Sequence, residues 1–211
     1  MLLTGYERPT IREPVLLDPD GRPVRYGGRW PDGAPDAAYG VDSHPGRFAP
    51  LHDVADALVR HLAARHDVAV TDDLACADDL RHPVAGAVGA VRLVPRRETA
   101  APLTVVWTGY PAVALHAGLL HDFPFPVCGC DACDEAWPAV ADDLEWHVGA
   151  VVAGGYRERA ARSRTGYDLA GDGRAVGGSG IVTDRADRRY VRAARKRLAA
   201  VAGGWAAWPQ R

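Results

Sequence analysis

The sequence has few residues of the types that mark membrane, secreted or nucleic-acid-binding proteins. Lys196 is its single lysine, and the net charge of −2 over 211 residues gives the whole molecule no attraction to DNA or to an anionic membrane. No apolar run approaches the ~20 residues of a membrane-spanning helix. The N-terminal segment lacks the length and the basic start of a signal peptide. We therefore expect a cytoplasmic protein without a membrane segment.

Cysteine is also scarce, but three of the four cysteines, Cys128, Cys130 and Cys133, fall within six residues. The flanking carboxylates belong to Asp131, Asp134 and Glu135. We expect these acids to raise the pKa values of the thiols, because two negative charges ~4 Å apart repel by about 4 kcal/mol at an effective dielectric constant of ~20. A divalent cation would remove this repulsion. The sequence therefore predicts a metal site, and zinc, which prefers four sulfur or nitrogen ligands, is the predicted metal.

The fourth ligand stays open at this point. Cys76 would complete an all-sulfur site, His121 lies close to the cluster in sequence, and His147 lies on the helix that follows. The cysteine spacing also agrees with an iron–sulfur cluster, with a Cys130–Cys133 redox pair next to a helix N-terminus, and with reduced, buried, inert cysteines. A reducing compartment favours a metal over a disulfide.

Hydrophobic periodicity predicts an α+β fold, in which a small antiparallel sheet packs against about three helices. Leu51, Val54, Leu58 and Leu62 recur at three- and four-residue steps, which is typical of an amphipathic helix, here over 50–65. Two more helices are expected from about 134 to 153 and from about 184 to 202. Strands are expected at 68–71, at 88–94, 103–107 and 112–120 as an antiparallel meander, and at 156–165. The glycine-rich segment 171–180 is typical of a flexible loop.

The first 48 residues are rich in proline, glycine and aspartate and show no sustained period. We expect an irregular N-terminal arm over 1–48 and a single α+β domain over 49–211. Within the arm, Asp18-Pro19-Asp20-Gly21 has the composition of a hairpin turn. At the other end of the chain, Trp205 and Trp208 are expected to dock on the domain.

Two classes of function agree with this sequence. The first is a binding or scaffold protein whose structural metal site holds the sheet to the second helix. The second is a metal- or thiol-dependent enzyme, in which the three cysteines leave one coordination position open and Glu135 or Asp131 acts as the base. Three anionic sulfurs would weaken the bound metal as a Lewis acid, which favours the first class. A third and weaker class is a nucleic-acid-binding protein that uses the arginine-rich last helix. Such a helix is more typical of a solvated surface, so a nucleic-acid partner is not expected, while homo-oligomerisation and other partners stay open.

The segment Phe125–Glu135 carries the motif Pro-x-Cys-Gly-Cys-Asp-Ala-Cys-Asp-Glu. In this motif the chain resembles a family of uncharacterised actinobacterial proteins, a domain of unknown function. A looser likeness extends to Arg47-Phe48, to Tyr110-Pro111 and to the tryptophan-rich C-terminus. The resemblance implies that the cysteine segment matters, and it implies no particular activity or substrate.

Overall fold

A computed structural model describes residues 3–211 and shows a mixed α+β fold, which confirms the predicted fold class. Met1 and Leu2, which begin the segment judged unlike a signal peptide, lie outside the described residues. None of the helices within 3–211 has the length and apolar character needed to cross a bilayer.

The described chain contains three α-helices and two antiparallel sheets. The helices are α1 (Pro50–Arg65), α2 (Trp137–Val152) and α3 (Arg185–Leu198). The first sheet has the strand order β1-β2-β3-β4-β5, with β1 (Val68–Asp72), β2 (Ala87–Pro95), β3 (Leu103–Thr108), β4 (Val113–Ala117) and β5 (His121–Phe125). The second sheet has the order β6-β7-β8, with β6 (Tyr156–Ala160), β7 (Arg164–Gly171) and β8 (Arg174–Ile181).

Three segments differ from the sequence-based prediction. The approach to the cysteines is not a plain connection, because His121–Phe125 forms β5. Pro124 fits there because β5 is an edge strand, where a missing amide donor is tolerated. The glycine-rich segment is not a flexible loop either, since Arg174–Ile181 pairs with β7 along its whole length. The strand expected at 156–165 ends at Ala160, and a second strand begins at Arg164.

The main core lies between the first sheet and the helices α1 and α2. Alternate side chains of the central strands, such as Val105 and Leu115, point to this face and are buried together with Phe123. Leu58 of α1 and Leu144 of α2 belong to the same apolar cluster. Full burial of such a side chain contributes about 1.5–3 kcal/mol relative to an exposed one. Apolar residues recur with a period of two in the strands and of 3.6 in the helices, and this pattern determines which face of each element packs into the core.

The N-terminal arm contains only short 3-10 helices and isolated bridges within its described residues, but it contacts the core. Leu3 and Tyr6 are buried, and the Tyr6 hydroxyl donates to Glu145 of α2 at 2.8 Å. The expected turn is present, because Leu17 and Pro23 form an antiparallel bridge around it. The division of the chain at residue 48 stays a prediction.

The C-terminal tryptophans dock on the domain, as expected, and both are buried. The Trp208 indole N–H donates to the carbonyl of Ala101 at 2.8 Å. The Trp205 indole donates to the carboxylate of Glu158 at 3.0 Å, and the backbone amide of Leu120 donates to the same carboxylate at 2.8 Å. Since Glu158 is buried, these donors are what makes its burial tolerable.

We expect His147 to make the stability of the fold depend on pH. Its ring contacts Phe123 and Phe125, and burial lowers its pKa below the usual value of about 6.5. The unfolded chain therefore takes up the proton first. The contribution of the neutral ring is complete above pH 6.5 and is lost as the pH falls from 6.5 towards the lower folded pKa.

Chemical denaturation at pH 7.5 and pH 5 tests this expectation. The wild type should lose more unfolding free energy between the two pH values than His147→Gln does. The variant should keep part of the dependence, because burial also lowers the pKa values of His61 and His66. Equal losses in the two proteins would contradict the assignment.

Candidate metal centre

The three clustered cysteines lie in the connection between β5 and α2, which we call the cysteine loop (residues 126–136). All four cysteines of the chain are free thiols. The Sγ atoms of Cys128 and Cys130 are 3.3 Å apart, those of Cys130 and Cys133 are 3.5 Å apart, and all three lie within 4.8 Å of one another. A tetrahedral zinc ion with bonds of ~2.3 Å to sulfur holds its sulfurs ~3.8 Å apart. The three-cysteine group therefore has the geometry to hold a metal ion.

The carboxylate of Asp131 points away from the sulfurs and into the arm. It accepts hydrogen bonds from the hydroxyls of Tyr26 at 2.8 Å and Ser43 at 2.6 Å. The carbonyl of Asp131 accepts from Arg29 at 2.7 Å and from the Trp30 indole at 2.9 Å. Burial would raise the pKa of Asp131, but the bonds from Ser43 and Tyr26 outweigh it and hold that pKa below its usual value. Asp131 is therefore committed to the arm.

Asp134 is bound to the arm in the same manner. Its backbone adopts a left-handed conformation with φ 53°, which aspartate tolerates better than most residues. One carboxylate oxygen accepts the backbone amides of Gly27, Gly28 and Arg29 at 3.1, 2.6 and 2.7 Å, and the other pairs with the Arg29 guanidinium. Burial alone would raise the pKa of Asp134, yet these contacts with Arg29 and Gly28 lower it.

Arg47 joins the arm to the cysteine loop from a buried position, with 2% of its side chain exposed. Its guanidinium donates to the carbonyl of Gly129 and, at 3.2 Å, to the carbonyl of Glu135, so that both ends of the loop share one donor group. It also donates to the carbonyl of His44 at 2.9 Å and pairs with Asp42 at 2.8 Å. A planar fork of five N–H donors suits this divergent set of acceptors.

Gly129 is required by close packing. A Cβ atom at this position would lie 2.0 Å from the Tyr110 hydroxyl and 3.3 Å from a carboxylate oxygen of Asp42. These two side chains form a hydrogen bond of 2.5 Å over the loop. The Tyr110 region, which the resemblance had singled out only loosely, is thus a direct neighbour of the cysteine motif.

The thiols affect one another more than the acids affect them. Hydrogen bonds from the Cys133 backbone and from the neighbouring sulfurs lower the pKa of Cys130 to about 7. Hydrogen bonds with the other two thiols raise the pKa of Cys133 to about 12. The expectation that the acids would raise every thiol pKa is therefore wrong, because Asp131 and Asp134 face the arm. A cation bound between the three sulfurs would favour their thiolate forms together.

Glu135 is the flanking acid that keeps an unused oxygen. Its Oε2 is buried and has no hydrogen-bond partner within residues 3–211. Burial raises the pKa of Glu135, and a hydrogen bond from the backbone of Cys128 partly offsets this. Of the two bases predicted from the sequence, Asp131 is bound to the arm, whereas Glu135 keeps one carboxylate oxygen of the loop without a partner in the described chain.

The three sequence-based candidates for the fourth ligand lie elsewhere, and none belongs to the three-cysteine group. Cys76 is buried in the 3-10 helix Leu74–Asp79, in a separate small apolar cluster. His121 begins β5, and its Nδ1 lies 3.1 Å from both Tyr156 and Glu158. The Nδ1 of His147 lies 2.7 Å from a carbonyl oxygen of its own helix.

Sequence reasoning gave no role in holding the loop to Tyr26, Arg29 or Arg47, although the resemblance loosely included Arg47. They lie roughly 80–105 positions before their partners in the loop, as for Gly129 with Arg47 and Asp134 with Arg29. The one usable signal was composition, because arginines and aromatic residues stand close together in a segment that otherwise looked irregular.

These features define an α+β protein with a three-cysteine loop that could hold a metal ion. The chain belongs to the family of unknown function DUF6226, whose family model matches residues 12–211. The match includes most of the arm as well as the α+β part. Comparisons with curated proteins and with solved structures gave no match.

We expect Arg47→Met to lower the free energy of unfolding by about 3–5 kcal/mol, because it removes the buried cation that pairs with Asp42 and leaves three carbonyls without their donor. Arg47→Lys should recover only part of this loss, since an ammonium cannot reach the divergent acceptors. Urea denaturation followed by tryptophan fluorescence measures both. Arg22→Met is the control, because Arg22 is 75% exposed and should change stability by less than ~0.5 kcal/mol. Equal stability of the Arg47 and Arg22 variants would contradict the role of Arg47.

Proposed function

We propose that Cys128, Cys130 and Cys133 bind one zinc ion at a structural site, and that the protein acts as a binding or scaffold protein. The observation that carries the proposal is the distance of 3.3–3.5 Å between successive sulfurs, which is near that of a tetrahedral thiolate site. The ion would replace the mutual repulsion of three thiolates by attraction. It would thereby fix the loop, which accepts hydrogen bonds from Arg47 and carries Asp131 and Asp134.

The surroundings of the loop support a structural role. The loop backbone is hydrogen-bonded to the arm, since Asp131 N–H donates to the carbonyl of Val41 at 2.7 Å and Ala132 N–H to that of Ala38 at 3.1 Å. A metal at this position would hold together the end of β5, the start of α2 and the arm. The proposal includes a reducing cytoplasm, where thiols stay free. It also extends to the family, whose members we expect to share the cysteine motif and to occur in actinobacteria.

Metal content tests the structural site. We expect protein purified under reducing conditions to carry about one zinc per chain, and Cys130→Ser to carry about none, because two thiolates do not make a stable zinc site. Elemental analysis of both proteins gives the stoichiometry. Cys76→Ser is the matched control and should keep its zinc, since Cys76 lies in another cluster. Wild-type protein with no transition metal, or with a Cys130–Cys133 disulfide in its place, would contradict the proposal.

A metal-dependent enzyme is the second candidate, and one observation favours it. The three-cysteine group contains no fourth histidine, cysteine or carboxylate ligand within residues 3–211, and catalytic zinc sites keep their fourth position open to water. Glu135, with its unpaired buried oxygen, would then be the group that accepts a proton from that water.

Cobalt substitution separates the two candidates. Cobalt(II) bound to the three cysteines absorbs in the visible range, and its spectrum reports the fourth ligand. For the structural site we expect the cobalt spectrum to stay unchanged when azide is added. If Glu135 is the fourth ligand, the spectrum should also change in Glu135→Gln. A spectral shift that saturates with azide would instead identify an exchangeable coordination position and favour the enzyme. The control Cys76→Ser should then show the same affinity for azide.

A further inference from the structure

A second polar cluster lies on the other face of the five-stranded sheet, away from α1 and α2. The strand register places Thr71, Arg92, Thr104, His116 and Asp122 side by side, one from each strand. We call this line of side chains the polar row. The neighbouring row on the same face contains the small apolar residues Ala90, Val106 and Ala114. Thr104 and His116 of this line are buried and need polar partners, because burying unpaired polar groups costs free energy.

His116 and Asp122 form a dyad within the polar row. The His116 Nδ1 lies 2.7 Å from one oxygen of Asp122, and the backbone amide of His82 donates to the other oxygen at 2.7 Å. Because an ionised carboxylate only accepts hydrogen bonds, the proton between the two side chains lies on Nδ1. In the neutral ring the Nε2 atom is then an acceptor. The His116 side chain is 6% exposed, and no residue within 3–211 hydrogen-bonds to its Nε2.

A cavity of about 270 Å³ lies next to this ring, between the sheet and α3. Its lining includes Asp79, Arg92, Thr104, His116, Tyr190 and Arg197. The volume is below the roughly 300–1,000 Å³ of pockets for drug-sized ligands, so the cavity suits a small molecule. Arg81 holds α3 over this region, since it pairs with Asp187 and lies 3.7 Å from the centre of the Tyr190 ring.

The charges in the cavity favour an anion. Asp79 is compensated, because it receives both ends of the Arg92 guanidinium and a hydrogen bond of 2.5 Å from the Thr104 hydroxyl. These contacts with Arg92 and Thr104 outweigh the effect of burial and lower the pKa of Asp79. Arg197 forms no ion pair with any residue of the described chain and keeps its positive charge available at the cavity.

We propose that this cavity binds a small hydroxylated organic anion. The anionic group pairs with Arg197, and a hydroxyl of the ligand donates to Nε2 of His116, whose other nitrogen is held by Asp122. This two-point contact satisfies the acceptor that the fold leaves unpaired and uses the one cavity guanidinium that Asp79 does not neutralise. The site lies apart from the cysteine loop and does not depend on whether that loop binds a metal.

Three probes of equal carbon number separate the two contacts: glycerate has the charge and the hydroxyls, propionate has only the charge, and glycerol has only the hydroxyls. Histidine ring resonances of the full chain, followed by NMR at constant ionic strength, give the dissociation constants. We expect glycerate to shift the His116 resonances in a saturable way and to bind about tenfold more tightly than either other probe, the gain expected for one added hydrogen bond relative to propionate and for one added ion pair relative to glycerol.

Two variants assign the contacts. In His116→Phe, glycerate and propionate should bind with equal affinity. Backbone amide shifts around the cavity measure binding to this variant. Arg197→Gln should weaken both anions and leave glycerol unchanged; the Arg197 side chain is exposed at the cavity, so the fold does not depend on it. Arg195→Gln, an exposed position outside the cavity lining, is the control and should change nothing. Equal binding of the three probes, or equal losses in Arg195→Gln and Arg197→Gln, would overturn the proposal.

Discussion

The buried guanidinium of Arg47 is the contact on which the arrangement of arm and cysteine loop depends. It lies over the Tyr26 ring at 4.1 Å and over the Phe48 ring at 4.3 Å, while its donors are shared between the loop and Asp42. A buried charge is stable only if it is paired and hydrogen-bonded, and each of these partners comes from the arm or the loop. The irregular path of the arm brings hydrogen-bond acceptors and aromatic rings to the guanidinium of Arg47.

The arginines of the arm also change the electrostatics of the cysteines. From the sequence, the three acids next to the thiols looked like a source of repulsion that only a metal could relieve. In the folded chain Arg29 compensates Asp134, and the hydroxyls of Tyr26 and Ser43 hold Asp131. The argument for a metal consequently rests on the proximity of the sulfurs to one another. Asp131 and Asp134 position the loop through their contacts with the arm.

Regular elements with a clear period were predictable, and contacts between distant segments were not. The helix α1 matches its prediction because Leu51, Leu58 and their neighbours repeat with the period of a helix. The strand β8 was missed because its glycines carry no side chains that could show a period of two, and its pairing comes from β7. The closeness of the three cysteines followed from their spacing. The direction of the acids and the position of Cys76 depended on tertiary contacts that no local pattern encodes.

The polar row shows a signal that was present but not used. Arg92, Thr104 and His116 each interrupt an apolar strand, and only the register of the sheet shows that these interruptions are neighbours. One sequence cannot supply that register, because shifting a strand by one residue reverses its faces.

The separation of contacts along the chain has a consequence for the order of assembly. Cys128 and Cys133 are five residues apart, whereas Arg29 and Asp134 are 105 apart. Closing the longer segment costs about 3 kcal/mol more chain entropy than gathering the thiols. An ion captured by the nascent polypeptide would therefore organise its sulfurs before the arm arrives, so that docking of the arm would be a late kinetic step onto an existing template.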